Sequence, residues 1–128
     1  MTPVRVQRRR TKGWRAPAGA VYVGRPSIWG NPYRVARDGR VTWHVYAFGG
    51  STPIATFRSR TGHEARQFAV DRLQSLFDHH RDPWGKERVR AELAGLDLMC
   101  WCPLTDVNGV AVPCHADLLL AIANGGQR

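Results

Sequence analysis

The spacing of apolar residues predicts a long helix near the middle of the chain. Between residues 65 and 77, apolar side chains recur at steps of three and four, which places them on one face of a helix. Thr61 and Glu64 have the spacing of a capping box, in which the two residues satisfy free backbone amides at a helix start. We therefore expect a helix that begins at this box and runs to about His79.

Two shorter helices are predicted toward the end of the chain. Asp82 and Pro83 suit the N-cap and first position of one helix, and Gly95 suits its stop. The apolar residues after Pro113 indicate a terminal helix that Asn124–Gly125 closes. The second half of the chain is therefore expected to be mainly helical.

Strands are predicted where short apolar runs stop at glycine or proline. Residues 20–24 and 96–102 are such runs, and both are expected to be buried. Residues 33–36 and 41–48 form a predicted hairpin, because the Asp-Gly pair between them suits a tight primed turn. Residues 53–57 are expected to form a third, edge-like strand. The expected fold class is α/β, with about three helices packed on a mixed sheet.

The positive charge lies at one end of the chain. At 128 residues the chain fits a single small domain, 1–128, in which residues 1–19 are interpreted as a basic N-terminal arm. The first 40 residues hold ten cations against Asp38 alone, so the whole net charge of +9 lies there. Nine of these cations are arginines, which suit bidentate contact with phosphate. We therefore expect a nucleotide or nucleic-acid partner, with a solubilising tail as the alternative.

Hydropathy and cysteine content indicate a cytoplasmic protein. No apolar run approaches the roughly 20 residues of a membrane helix, so no membrane partner is expected. The opening residues are charged without an apolar core after them, which does not suit a signal peptide. Three cysteines cannot all pair within one chain. Thiols in such a protein are metal ligands, catalytic groups or apolar filler.

Cysteine and histidine residues form the candidate catalytic site. Cys100 and Cys102 face the same side of a predicted strand, which Cys102 ends. Cys114 and His115 open the terminal helix, where the helix dipole lowers the pKa of a thiol. If this strand and helix are neighbours, Cys102 or Cys114 is the expected thiolate and His115 the acid or base. Asp117 is expected to orient the imidazole or to cap the helix.

Zinc is the alternative use of the same residues. Cys100, Cys102, Cys114 and His115 together match a closed tetrahedral zinc site. The Cys-x-Cys spacing in a strand departs from the usual Cys-x-x-Cys turn, and two adjacent residues strain to bind one ion. For Cys100, the favoured interpretation is a buried thiol that packs as a small apolar residue.

The loop from Gly24 to Tyr33 is the candidate ligand-binding wall. Its glycines, prolines and asparagine do not suit a helix or a central strand. Arg25 suits phosphate, Trp29 suits a base, and Ser27 and Asn31 supply a hydroxyl and a carboxamide. The alternative is a structural turn whose tryptophan fills the core. The loop has neither P-loop nor dinucleotide glycine spacing.

Part of the basic arm is also a candidate for ligand binding, because its sequence interleaves cations with an aromatic ring. The residues concerned are Arg10, Lys12, Trp14 and Arg15. We expect them to contact the phosphates and bases of a nucleic acid.

Four stretches frame the chain: residues 10–15 (RTKGWR), 21–32 (VYVGRPSIWGNP), 98–103 (LMCWCP) and 114–120 (CHADLLL). Together they resemble a bacterial and phage family catalogued as domain of unknown function 4326. The resemblance implies no particular activity.

Three functional hypotheses follow from these observations. The first is an enzyme that acts on a nucleotide or nucleic acid with its cysteine–histidine pocket. The second is a nucleic-acid-binding module, with or without a stabilising zinc ion. The third is a sensor or sequestering protein for a small phosphorylated ligand.

Overall fold

The structure is a computed structural model that describes residues 2–79 and 85–125. Its elements in chain order are β1 (Arg5–Gln7), β2 (Val21–Tyr22), β3 (Tyr33–Asp38), β4 (Thr42–Ala47), β5 (Ala55–Arg58), α1 (His63–His79), α2 (Lys86–Leu93), β6 (Leu98–Cys100) and α3 (His115–Ala123). The predicted α/β class is confirmed. The described strands form two three-stranded sheets, one parallel and one antiparallel, rather than one mixed sheet.

The parallel sheet joins the two ends of the chain. Its order is β1-β6-β2, so the late strand β6 lies between two early strands and runs parallel to both. Arg5 and Val21 both stand opposite Leu98. β1 lies within residues 1–19, which the sequence pattern indicated only as a basic arm. The first basic residues are therefore held against the strand that carries Cys100.

The antiparallel sheet contains the predicted hairpin and the predicted edge strand. β3 pairs with β4, and β4 pairs with β5. Asp38 pairs with Thr42, so the hairpin loop has three residues and the predicted two-residue turn is wrong. Gly39 takes a φ of +80° in this loop, a conformation that suits glycine because it has no Cβ.

The long helix α1 ends at His79 as predicted, but its start differs in detail. The Thr61 hydroxyl accepts the N–H of His63 at 3.4 Å instead of the Glu64 amide, so the predicted capping box is wrong. Gly62 precedes the helix with a φ of +72°, and a Cβ there would lie 2.8 Å from the ring of Trp43. This left-handed turn shifts the helix start to His63.

The other helices follow their predicted stop signals. α2 begins after Gly85, and the predicted cap at Asp82 and Pro83 lies outside the described residues. Gly95 follows α2 with a φ of +77°, and Asn124 caps α3. Among the described helices, none combines the length and the apolar character that crossing a bilayer requires.

The core consists of two apolar clusters that share α1. The larger cluster joins α2, β6 and α3, and its fully buried side chains include Leu93, Leu98 and Leu118. The smaller cluster packs Trp43 and Val45 of β4 against α1. α1 contributes residues to both clusters, so it holds the two sheets together. A pocket opens at this junction, beside the end of β6.

Candidate functional site

Three free thiols meet at the end of the parallel sheet. Cys100 ends β6, Cys102 lies two residues beyond it, and Cys114 is the N-cap of α3. The three Sγ atoms lie within 4.8 Å of one another, and those of Cys100 and Cys114 are 3.1 Å apart. The expected strand end at Cys102 is wrong, because β1 pairs with β6 only as far as Cys100.

The three thiols differ in pKa. Hydrogen bonds from Cys100 and then Cys114 lower the pKa of Cys102, and the positive charge of the nearby Arg66 acts in the same direction. The hydrogen bond to Cys102 raises the pKa of Cys100, and the bonds to its two neighbours raise that of Cys114. Cys102 is also the most exposed of the three, since the other two are buried. Cys102 is therefore the thiol of the cluster whose pKa is lowered.

His115 is buried and held by the backbone. Its Nε2 donates to the carbonyl oxygen of Val23 at 2.7 Å, so in the neutral ring Nδ1 carries the free lone pair. Nδ1 lies 3.7 Å from the Sγ of Cys114. Burial lowers the pKa of His115, with the Val23 carbonyl opposing this effect. The imidazole is therefore neutral near pH 7.

Asp117 has a different partner from the expected one. The Nε of Arg5 donates to its Oδ1 at 3.1 Å, so the prediction that Asp117 orients the imidazole is wrong. The same guanidinium donates to the carbonyl oxygens of Pro103 at 3.1 Å and Val112 at 2.9 Å. Burial alone would lower the pKa of Arg5, but Cys114 and Asp117 raise it. Arg5 is thus a buried cation beside the thiols, which the sequence analysis missed.

A cavity of about 230 Å³ opens onto the three thiols. We call it the thiol pocket, and the residues of its lining with polar side chains are Tyr22, Arg25, Asn31, Tyr33, Arg66, Trp101, the three cysteines and His115. No carboxylate is among the described residues that line it. The Nε of Arg66 is buried without a hydrogen-bond partner in the described part of the chain. The described lining therefore combines two arginines with three thiols and contains one buried donor without an acceptor.

The place of Arg66 in the pocket lining could not be predicted from its position in the helix. Arg66 belongs to α1, where arginines are predicted to lie on the solvent side. Only the packing of α1 against both sheets places this residue in the lining of the thiol pocket. An arginine flanked by the buried residues Ala65 and Ala69 was the available signal.

Two residues of the predicted binding loop line the pocket. Nη1 of Arg25 donates to the carbonyl oxygen of Asn31 at 3.0 Å. The Asn31 amide donates to the Ala69 carbonyl at 3.2 Å, and its Oδ1 accepts the Tyr33 N–H at 2.9 Å. Asn31 therefore uses both ends of its carboxamide within the protein, and Arg25 keeps free donors for a ligand.

The remaining loop residues lie away from the pocket. The Ser27 hydroxyl accepts the Trp29 N–H at 3.3 Å. The Trp29 ring packs against the larger core cluster, and the Arg88 guanidinium lies 5.7 Å from its centre. Trp29 therefore packs as expected for a structural turn whose tryptophan fills the core, which was the alternative to a ligand-binding loop.

A second depression lies on the other side of Trp101. We call it the basic groove, and it is lined by Arg8, Arg9, Arg10, Trp14, Ala16, Ala20, Tyr22, Met99 and Trp101. The Arg8 guanidinium lies 4.9 Å from the ring centres of both Tyr22 and Trp101, and that of Arg10 lies 4.7 Å from Trp101. Lys12 and Arg15 are exposed beside the groove without lining it.

The carboxylate of Asp106 holds the loop between Cys102 and Cys114 together by hydrogen bonds. Asp106 accepts the N–H groups of Asn108 at 2.7 Å and Val110 at 3.0 Å, and it bonds Nε2 of His63 at 2.7 Å. Desolvation acts to raise the pKa of Asp106, but these hydrogen bonds outweigh it and lower the pKa. Asp106 thus ties the loop that precedes Cys114 to the start of α1.

Replacing Asp106 with asparagine is expected to reduce stability in a pH-dependent way. Because the folded-state pKa is lowered, the ionised carboxylate stabilises the fold above its unfolded pKa of about 4 and loses this effect as pH falls through the folded value. The melting-temperature gap between wild type and Asp106→Asn should therefore be largest near neutral pH and shrink in acid. Asp71→Asn, on α1, is the charge-matched control. A constant gap down to about pH 2 would contradict this assignment.

Comparison with known proteins identifies a family. No curated protein and no solved structure matches the chain. A family model described as a domain of unknown function (DUF4326) matches residues 6–125, which take in all the residues that line the thiol pocket and the basic groove. The chain therefore belongs to the family of this domain of unknown function.

Proposed function

We propose that the protein binds single-stranded nucleic acid along the basic groove, with one nucleotide directed into the thiol pocket. The observation that carries this proposal is the wall that the two cavities share. Tyr22 and Trp101 line both the basic groove and the thiol pocket, so a strand on the groove passes the pocket entrance.

The groove has the cations that a phosphate backbone needs. Within residues 2–79 and 85–125, neither Arg8 nor Arg10 forms an ion pair with a carboxylate. Both guanidinium groups instead lie over aromatic rings. Arginines without a carboxylate partner bind phosphates favourably, because each contact releases counterions that had been condensed on the nucleic acid.

The aromatic surface favours a single strand over a duplex. Trp101 is 39% exposed although it follows a buried strand. Exposed rings and guanidinium planes stack with unpaired bases, each worth about 1–3 kcal/mol, whereas a duplex keeps its bases stacked on one another.

The thiol pocket suits one anionic group of the same strand. Arg25 and Arg66 line it, and the described lining contains no carboxylate to repel phosphate. Arg25 is exposed and spends one N–H on the Asn31 carbonyl, so its remaining donors can bind a phosphate oxygen. The catalytic roles expected of Cys102, Cys114 and His115 stay predictions, and the proposed activity is binding.

The test is the anisotropy of a labelled random oligonucleotide titrated at several salt concentrations. The double variant Arg8→Gln/Arg10→Gln should weaken binding at least about tenfold and reduce the salt slope by about 1.4, which is the value for two phosphate contacts on a single strand. Trp101→Leu should weaken binding about 5- to 150-fold through lost stacking.

The control has the same charge change on the other sheet. Arg58 and Arg60 are exposed on and beside β5, and their double replacement by glutamine should change the affinity less than about twofold. If both double variants lose the same affinity for the oligonucleotide, binding depends only on net charge and not on the groove, and the proposal is overturned. So would an absence of binding at about 50 mM salt, or binding of free nucleotides without oligonucleotides.

A further inference from the structure

We propose that Cys100, Cys102 and Cys114 bind one thiophilic metal ion, with zinc as the expected occupant, through three thiolates and with a fourth position open to the thiol pocket. This inference goes beyond nucleic-acid binding and does not depend on it. The sequence suggested a zinc site with four protein ligands. The site proposed here has three, because His115 is not a ligand.

The sulfur positions fit such an ion. With Zn–S bonds of about 2.3 Å and tetrahedral angles, ligand sulfurs lie about 3.8 Å apart. The observed separation is 3.1 Å for Cys100 and Cys114 and at most 4.8 Å for the other two pairs, so each sulfur–sulfur distance lies within about 1 Å of the ideal or below it. Small side-chain rotations therefore bring all three sulfurs to bonding distance.

The ligand chemistry selects a soft ion. The group of metal-ligand atoms consists of three sulfurs, with no carboxylate oxygen from the described residues. Thiolates prefer zinc, cadmium or copper(I), whereas magnesium and calcium require oxygen ligands. Cys100 and Cys114 are buried, so the ion would lie at the base of the pocket and away from bulk solvent.

The surrounding charges compensate the bound complex. Three thiolates and one divalent ion carry a net charge of −1, which is costly to bury unless cations lie nearby. Arg5 is one such cation, although it also pairs with Asp117: its side chain is 7% exposed and hydrogen-bonds the carbonyls of Pro103 and Val112 near Cys102 and Cys114. Arg66 is the other, with its buried Nε still lacking an acceptor.

His115 is held away from the ligand set. Its Nε2 already donates to the Val23 carbonyl, and Nδ1 lies 3.7 Å from the Cys114 sulfur. Within the described chain, neither ring nitrogen belongs to the cluster of mutually close ligand atoms. All three cysteines line the thiol pocket, so water or an anion can reach the fourth position.

The experiment uses the reduced full-length chain and Co²⁺ as a spectroscopic probe for zinc. We expect one Co²⁺ per chain, with sulfur-to-cobalt charge-transfer absorption that zinc abolishes by displacement. Because the chain has only three cysteines, a thiol reagent reports on this cluster alone. Zinc should slow the reaction of all three thiols relative to the metal-free chain, most visibly that of Cys102, which is the most exposed. Metal analysis after dialysis gives the stoichiometry.

Single variants assign the ligands. Each of Cys100→Ser, Cys102→Ser and Cys114→Ser should lower the zinc affinity more than about 100-fold, which exceeds the loss typical for a residue that only supports a ligand. His115→Gln should retain the charge-transfer band, and circular dichroism establishes that it is folded. If it unfolds, the protection of the thiols by zinc in the wild-type chain still tests the site.

Three results would overturn this proposal. The first is an absence of Co²⁺ absorption in folded, reduced wild type. The second is loss of that absorption in folded His115→Gln, which would make the histidine a ligand. The third is a disulfide between Cys100 and Cys114 that forms in air even when zinc is present in excess.

Discussion

Replacing Leu118 with alanine is expected to lower the free energy of unfolding by about 3–4 kcal/mol. Leu118 lies in α3, is fully buried, and packs in the larger core cluster with Leu98 and Val89. Removing its side chain loses apolar contact and leaves a cavity that the neighbouring helices fill only in part. Urea denaturation at neutral pH measures this change.

The control for Leu118→Ala is the same substitution on the surface. Leu104 is 40% exposed, so Leu104→Ala should change the free energy of unfolding by less than about 0.5 kcal/mol. Leu118 lies four positions after Cys114, and loosening α3 should also reduce the zinc affinity of the thiol cluster. A loss at Leu118 no larger than the loss at Leu104 would contradict the described packing.

Replacing Arg5 with methionine is expected to cost about 3 kcal/mol of folding free energy. The methionine keeps much of the apolar stem but removes every donor of the guanidinium group. The carbonyls of Pro103 and Val112 and the carboxylate of Asp117 then lose the bonds that Arg5 makes. Each buried acceptor left without a donor costs about 1–3 kcal/mol, and the partly exposed Asp117 contributes less because water replaces its partner.

Two comparisons isolate this effect of Arg5. Arg9→Met removes an equal charge from an exposed residue and should change stability by less than about 0.5 kcal/mol. A double-mutant cycle with Asp117→Asn should return a coupling free energy of about 1 kcal/mol. Equal stability of Arg5→Met and Arg9→Met would show that the parallel sheet does not depend on this cation.

The two substitutions test different connections of the same site. Leu118 supports the helix that presents Cys114, whereas Arg5 ties the first strand to the loop between Cys102 and Cys114. The site therefore depends on contacts between the first few residues and the last 30, which are far apart in sequence.

Local patterns were sufficient for several elements. The apolar period of 65–77 gave α1, the apolar residues after Pro113 gave α3, and the Asp-Gly pair located the β3–β4 loop. These elements form from interactions between residues a few positions apart, so their signals lie in short windows of sequence. Details that depend on neighbours in space, such as the Gly62 turn against Trp43, were missed.

The sequence by itself determined the α/β class, the concentration of charge in the first 40 residues and the identity of the thiols. Only the tertiary structure decided that β1 joins β6, that Arg5 bonds Asp117 and that Arg66 lines the thiol pocket. The physical reason is that parallel strand pairing and the burial of a cation depend on residues far apart along the chain. The local spacing of apolar residues does not specify which distant strand β6 pairs with.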